Sequence, residues 1–89
     1  MKMGADNWVV YLLRCVDDSL YCGITNDLEK RLLKHNSGKG AKYTRSRLPL
    51  VLVGVSSEMT RSEALKLEYR LKKTSAADKK GVLERLNPD

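Results

Sequence analysis

Two side chains at helical spacing could act together on a phosphate group. Arg31 and His35 are four residues apart, so on a helix they lie one above the other. The guanidinium of arginine offers a rigid fork of donors to phosphate oxygens, and a histidine with a pKa near ~6.5 can transfer protons at neutral pH. The same spacing also suits two solvated side chains at the edge of a helix, and the sequence leaves both interpretations open.

A carboxylate falls on the apolar side of a second predicted helix. On a helical wheel at about 100° per residue, Glu68 lies inside a hydrophobic stripe. The stripe consists of Ala64, Leu67 and Leu71, with Leu65 on its flank. A carboxylate that faces a core needs a cation or several hydrogen-bond donors. Glu68 is therefore either one half of an ion pair with a neighbouring element, or a metal ligand or catalytic group.

Three tyrosines stand out in a chain that has no phenylalanine. Tyr11 and Tyr21 lie on two consecutive predicted strands, and Tyr43 lies in a later basic loop. The two strand tyrosines share a face of the hairpin only if the connection has an odd number of residues, such as residues 17–19. Packing in the sheet, with each hydroxyl at the rim, is the alternative explanation for these rings.

The positive charge of the chain is concentrated in one segment. The 89 residues include 17 Lys and Arg and 11 Asp and Glu, which gives a net charge of +6. Residues 30–47 contain seven basic residues and no acidic one. Such a patch favours a polyanionic partner, most often a nucleic acid and less often an anionic membrane surface. Lys39, Lys42 and Arg45 are the candidate phosphate contacts in this segment.

Length and composition exclude several classes of protein. A chain with 42% hydrophobic and 31% charged residues is typical of one globular domain. No apolar run approaches the ~20 residues of a membrane span, and we expect a cytoplasmic protein that binds no membrane. Cys15 and Cys22 would lie on opposite sides of the hairpin as reduced thiols. With one histidine in the chain, a structural zinc site lacks ligands.

The elements that position these residues form a small α+β fold. Strands are predicted over residues 8–15, 20–24 and 50–55, and the continuous apolarity of the third predicts the centre of the sheet. The expected helix caps are Asn26 with Glu29 at the third helical position, Thr60 with Glu63, and Ser75. The first helix is expected to bury Leu28, Leu32 and Leu33. The order ββαβαα places a three-stranded sheet against helices.

The ordered set of motifs resembles the GIY-YIG nuclease superfamily, and its small single-domain bacterial branch in particular. Val-Val-Tyr at residues 9–11 stands in place of Gly-Ile-Tyr, and Tyr-Cys-Gly at residues 21–23 in place of Tyr-Ile-Gly. Arg31, His35 and Glu68 complete the pattern on the two following helices. The resemblance implies one nuclease domain over residues 8–84, with a flexible N-terminus at 1–7 and a tail at 85–89.

The resemblance implies a metal-dependent endonuclease that hydrolyses phosphodiester bonds in DNA. Glu68 would hold a single divalent cation, Mg²⁺ or Mn²⁺, and Arg31 would contact the scissile phosphate. Tyr11, Tyr21 and His35 would then be the catalytic groups that orient or deprotonate the attacking water, and the residues do not decide which of them is the base.

The resemblance also suggests roles for two further residues, and the sequence leaves two alternative functions open. Gly23 matches the motif glycine, whose missing side chain would let the substrate approach, and Tyr43 is similar to an additional active-site tyrosine. A nucleic-acid-binding module that has lost turnover is the alternative function, and a protein that binds an acidic partner through its basic loop is a third. Specificity would come from the shape of the substrate, from self-association or from a partner protein.

Overall fold

A computed structural model describes residues 7–86, without the side chains of residues 76 and 84–86. Its elements are β1 (Val9–Arg14), β2 (Leu20–Thr25), α1 (Leu28–Asn36), α2 (Lys42–Arg45), β3 (Val51–Val55), α3 (Arg61–Lys72) and α4 (Ala76–Leu86). The predicted α+β order is confirmed, with one extra helical turn, α2, inside the basic loop. Of the segments expected to be loose, residues 1–6 and 87–89 lie outside this description. No helix within residues 7–86 could cross a membrane.

β1 is the central strand of an antiparallel sheet with the order β2-β1-β3. Residues 10–13 are all buried, because helices cover both faces of this strand. The prediction that residues 50–55 form the centre was wrong, since β3 is an edge strand and its Val51 is 48% exposed. β1 and β3 both carry continuous apolar runs, so the sequence does not distinguish them. Only β1 has a neighbouring strand on each side.

The register of the hairpin places Tyr11 and Tyr21 on one face of the sheet. Tyr11 pairs with Gly23, and Leu13 pairs with Tyr21, as an odd-length connection requires. At the turn, the backbone N–H of Ser19 and its hydroxyl both donate to Asp17 Oδ1. The predicted shared face of the two tyrosines is therefore confirmed.

Each face of the sheet buries its own hydrophobic cluster. The cluster under α1 contains Tyr11, Leu13, Cys15 and Leu50, with Tyr21, Leu28, Leu32 and Leu48 packed against it. The cluster under α3 and α4 contains Val10, Leu12, Cys22, Ala64, Leu71, Val82 and Leu83. Cys15 and Cys22 thus lie on opposite faces, as predicted, and both are free thiols.

Helix α1 begins one residue later than its sequence predicts. Asp27 is the N-cap in place of Asn26, and its carboxylate accepts a hydrogen bond from the backbone N–H of Lys30. Leu33 was expected to face the sheet, and it is 68% exposed. Leu28 and Leu32 are the leucines of α1 that pack against the sheet. Because successive residues of an α-helix are rotated by about 100°, the Leu33 side chain points away from the face that carries Leu32.

Helix α3 begins at the predicted capping box. Thr60 Oγ1 accepts a hydrogen bond from the backbone N–H of Glu63, and Glu63 Oε1 accepts one from the backbone N–H of Thr60. The helix buries Ala64 and Leu71, whereas Leu65, expected at the flank of the stripe, is exposed.

The layered arrangement predicts that truncating two different leucines lowers the free energy of unfolding by different amounts. Leu12→Ala removes a side chain that is 0% exposed, and we expect the free energy of unfolding to fall by about 2–5 kcal/mol. Leu33→Ala changes an exposed side chain and should alter it by less than about 0.5 kcal/mol. Urea denaturation followed by circular dichroism measures both, and equal losses would contradict the position of α1.

Candidate active site

A hydrogen bond between two buried rings forms the centre of the candidate site. Tyr11 comes from β1 and His35 from the last turn of α1. Tyr11 Oη lies 2.9 Å from His35 Nε2, and the two rings meet edge to face with centroids 5.9 Å apart. The burial of His35 excludes the interpretation of a solvated side chain at the helix edge.

Two glycines make room for the Tyr11–His35 pair. The Tyr11 ring lies across Gly23, its partner in β2, where a Cβ atom would come within 2.5 Å of Tyr11 Oη. A Cβ atom at Gly40 would collide with the His35 ring. The sequence interpretation gave the space at Gly23 to the substrate, whereas in the structure the Tyr11 hydroxyl fills it.

Thr44 is a further buried partner, and sequence reasoning did not find it. His35 Nδ1 lies 3.0 Å from Thr44 Oγ1, and the Thr44 hydroxyl donates to the carbonyl oxygen of Ala41 at 2.9 Å. Thr44 lies in α2, nine residues after His35. This separation matches neither a helical nor a strand repeat, so the pattern of the sequence contains no signal for the contact.

Two more tyrosines extend the aromatic group toward the solvent. The Tyr21 ring lies 5.4 Å from His35 and stacks on Tyr43 at 6.1 Å with an interplanar angle of 25°. Tyr43 is exposed, and the Arg47 guanidinium lies 3.9 Å from its ring centroid. Arg47 also forms a salt bridge with Asp17 at 3.1 Å. This arginine therefore connects α2 to the β1–β2 turn.

Burial sets the protonation of the central rings. Burial and the neighbouring Tyr21 raise the pKa of Tyr11, and the positive charge of Arg31 offsets only part of that rise. Burial also lowers the pKa of His35, and Arg31 lowers it further. At neutral pH the pair therefore consists of a protonated phenol and a neutral imidazole. Burial raises the pKa of Cys22 to about 12, so its thiol stays protonated.

Arg31 and Glu68 act on these rings with opposite charges. Burial raises the pKa of Tyr21 as it does that of Tyr11. Lys72 and Arg31 lower the pKa of Tyr21, Arg31 also lowers that of Tyr11, and Glu68 raises both. The Glu68 side chain is 19% exposed and lies 3.5 Å from Lys72 Nζ, one turn later on α3. The expected ion pair with a neighbouring element is therefore replaced by a pair within the same helix.

Glu68 can supply one oxygen ligand to a metal ion. Among the side chains that the structure describes, no group of three or more His, Cys, Asp and Glu is arranged to hold a metal. Mg²⁺ usually keeps several waters and binds one or two carboxylates together with phosphate oxygens of the substrate. A single partly buried carboxylate fits such an ion in the presence of a phosphate. Lys72 is 57% exposed and can turn toward the solvent.

The predicted phosphate contacts lie on the surface next to the tyrosines. Lys42 and Arg45 flank Tyr43 in α2, Lys39 precedes this turn, and all three cations are exposed. A groove of about 270 Å³ reaches Tyr43 and is lined by Leu20, Tyr21, Cys22, Tyr43, Lys72 and Lys79. A second groove of about 230 Å³ is lined by Trp8, Ile24, Thr25, Asn26, Asp27, Lys30, Arg31 and Lys34.

The fold and these residues match a known family of catalytic domains. The model of the GIY-YIG catalytic domain matches residues 7–81 of this chain. The chain therefore belongs to the GIY-YIG family, which is part of a nuclease superfamily. The family expected from the sequence motifs is confirmed.

Curated relatives of this chain are small bacterial proteins named UPF0213. One from Cupriavidus necator is 48% identical over 85 residues, which covers 94% of this chain and 92% of the relative. One from Nitratidesulfovibrio vulgaris is 46% identical over 82 residues, covering 92% of this chain and 74% of the relative. These names state no activity.

Two solution NMR structures resemble the fold. A protein from E. faecalis is 41% identical, with a TM-score of 0.60 over 86% of this chain and 82% of that chain. The UPF0213 protein BH0048 from Bacillus halodurans is also 41% identical, with a TM-score of 0.54 over 91% of this chain and 86% of that chain. The predicted fold class is thus confirmed.

The environment of His35 predicts a specific dependence of stability on pH. Its pKa is lowered below 6.5 in the folded protein, so on acidification the unfolded chain binds the proton first. The stability that the neutral ring contributes is present above pH 6.5 and is lost as the pH falls through the folded pKa. Urea unfolding between about pH 7.5 and pH 5.5 should show this loss, and His35→Asn should remove that part of the pH dependence.

A titration by NMR provides an independent check of the same environment. His35 is the only histidine in the chain, so its ring gives one unambiguous titration curve in metal-free buffer. A midpoint at or above 6.5 would contradict the described burial next to Arg31.

Proposed function

We propose that the protein is a metal-dependent endonuclease that hydrolyses phosphodiester bonds in DNA. The observation that carries the proposal is a buried, hydrogen-bonded phenol–imidazole pair beside a second tyrosine, with an arginine and a carboxylate whose charges act on both phenols. These residues are Tyr11, Tyr21, Arg31, His35 and Glu68. Membership in a nuclease superfamily supports the class of reaction, and the basic residues between positions 30 and 47 support a polyanionic substrate.

Each of these groups meets one need of phosphodiester hydrolysis. The Arg31 guanidinium binds oxygens of the scissile phosphate and offsets the charge that develops there. Glu68 would hold one Mg²⁺ or Mn²⁺ ion, which supplies Lewis-acid stabilisation of the phosphate when bound. The Tyr11–His35 pair orients the attacking water and removes its proton, and the Tyr21 hydroxyl orients the water from the neighbouring strand.

The surface around Tyr43 supplies substrate binding in this proposal. Lys39, Lys42 and Arg45 contact phosphates on either side of the scissile bond, and the exposed Tyr43, which packs on Tyr21 and Arg47, contacts the substrate beside them. Gly23 acts indirectly, because it leaves the space in which the Tyr11 hydroxyl lies. Self-association or a partner protein provides further specificity. We place the reaction in the cytoplasm, where the two buried thiols stay reduced.

A nucleic-acid-binding module without turnover is the second candidate function. The ion pair between Glu68 and Lys72 favours it, because the carboxylate already has a positive partner. The two candidates differ in what the carboxylate does, since an ion pair depends equally on both partners and metal binding depends on Glu68 alone.

Substitution of each partner in turn separates the two candidates. In cleavage assays with Mg²⁺ or Mn²⁺ on single-stranded, duplex and branched DNA and RNA, Glu68→Gln should lower activity by at least about 100-fold. Lys72→Met, which removes the other half of the pair, should retain most of the activity. Glu58→Gln changes an exposed carboxylate near α3 and serves as the matched control.

The outcomes of this experiment exclude one candidate or the other. Circular dichroism and DNA affinity of Glu68→Gln should stay near those of the unchanged protein if the carboxylate binds metal. Equal effects of Glu68→Gln and Lys72→Met on stability, without metal-dependent cleavage by any form of the protein, would favour the binding module.

The basic residues next to Tyr43 predict a change in the salt dependence of binding. Each phosphate contact on duplex DNA contributes a slope of about −0.9 to the logarithm of affinity against the logarithm of salt. Replacing Lys39, Lys42 and Arg45 by Gln should therefore reduce the slope by about 2.7. Fluorescence anisotropy of labelled DNA over a range of salt concentrations measures the slope.

A control with the same loss of charge tests whether this surface is the interface. Lys66, Lys73 and Lys80 are exposed on or beside α3 and α4, and their replacement by Gln should change the slope by less than one contact. An equal reduction from both triple variants would remove the segment around α2 from the interface.

A further inference from the structure

The hydrogen bonds around His35 form a chain of four groups. Tyr11 Oη lies beside His35 Nε2, and His35 Nδ1 lies beside Thr44 Oγ1. The Thr44 hydroxyl then donates to the carbonyl oxygen of Ala41. The three side chains are buried, so without substrate each of these polar atoms takes its hydrogen bond from the protein.

The direction of every bond follows from the carbonyl end of the chain. A carbonyl oxygen only accepts, so the single hydroxyl proton of Thr44 is used on Ala41. Thr44 Oγ1 then offers only lone pairs to His35, and Nδ1 must carry the imidazole proton. The other nitrogen of a neutral imidazole has a free lone pair, so His35 Nε2 accepts the proton of the Tyr11 hydroxyl.

We propose that Thr44 is a positioning residue that holds His35 in the Nδ1–H tautomer and thereby makes Nε2 the acceptor for the Tyr11 proton. The inference rests on the proposed nuclease function and adds the direction of proton transfer to it. Thr44 acts only through His35 and contacts neither the water nor the phosphate.

The proton transfer balances in this arrangement. The oxygen of the attacking water forms a bond to phosphorus as the ester bond from phosphorus to the leaving oxygen breaks. One proton of the water passes to Tyr11 Oη while the proton of Tyr11 passes to His35 Nε2, and the leaving oxygen takes a proton from the solvent. The resulting imidazolium keeps its Nδ1–H bond to Thr44 and later releases its extra proton through Tyr11 to the solvent.

The tautomer can be measured directly, because His35 is the only histidine in the chain. Long-range ¹H–¹⁵N correlation spectra of the ¹⁵N-labelled protein, recorded above the pKa of the ring and without metal, distinguish a protonated from an unprotonated ring nitrogen. The expected spectrum has a protonated Nδ1 and an unprotonated Nε2. A protonated Nε2 in the unchanged protein would overturn the proposal without any variant.

Three variants test whether Thr44 is the cause of this tautomer. Thr44→Val removes the acceptor for Nδ1–H and should move the population toward the Nε2–H form. Thr44→Ser keeps a hydroxyl at the same place and should preserve the original spectrum. Tyr11→Phe removes the other partner of the ring, and the Nδ1–H form should persist in it. An unchanged tautomer in folded Thr44→Val, or a lost one in Tyr11→Phe, would overturn the assignment to Thr44.

Cleavage kinetics then separate this inference from the proposed function. Thr44→Val should lower kcat by about 100-fold or more and leave KM nearly unchanged, and Thr44→Ser should restore kcat. Cleavage by folded Thr44→Val at the original kcat would overturn the positioning role and leave the nuclease function in place. An unchanged protein that has the expected tautomer and cleaves no substrate would uphold the tautomer assignment and overturn the nuclease function.

Discussion

The hydrogen bond between Tyr11 and His35 constrains the elements around it. A buried imidazole needs a partner on both nitrogens, because a buried polar atom without one costs about 1–3 kcal/mol. β1 supplies one partner through Tyr11, and α2 supplies the other through Thr44. The helical turn inside the basic segment therefore has a structural reason, because it places Thr44 against His35. Gly23, which pairs with Tyr11 in the sheet, leaves room for the Tyr11 ring, and Gly40 leaves room for the His35 ring.

The position of β2 at the edge of the sheet explains how a charge on one face acts on the rings of the other face. Tyr11 and Tyr21 point to the face covered by α1, whereas α3, which carries Glu68, packs against the opposite face. Glu68 nevertheless raises the pKa of both tyrosines. An edge strand allows this, because no further strand separates the helix on one face from the rings on the other.

The features that were predicted correctly depend on residues close together in the sequence. Strand composition and an odd-length connection, which is residues 15–19 in the structure, determine the shared face of the tyrosines, and the capping box determines the start of α3. The central strand was predicted incorrectly, since burial on both faces depends on neighbours distant in sequence. The contact between His35 and Thr44 also crosses a loop and has no periodic signal. The pair of Glu68 and Lys72 does have one, because the two residues are four apart on one helix.

The ion pair at Glu68 is compatible with either of its proposed roles because it is weak. Lys72 is more than half exposed, and ion pairs at such positions typically contribute about 0–1 kcal/mol. A divalent cation bound with a phosphate offers the same carboxylate a stronger electrostatic partner, so the lysine does not block metal binding. Lys72 also lines the groove beside Tyr21 and Tyr43. When it leaves the carboxylate, its charge therefore stays next to the surface that would bind the phosphates of a nucleic acid.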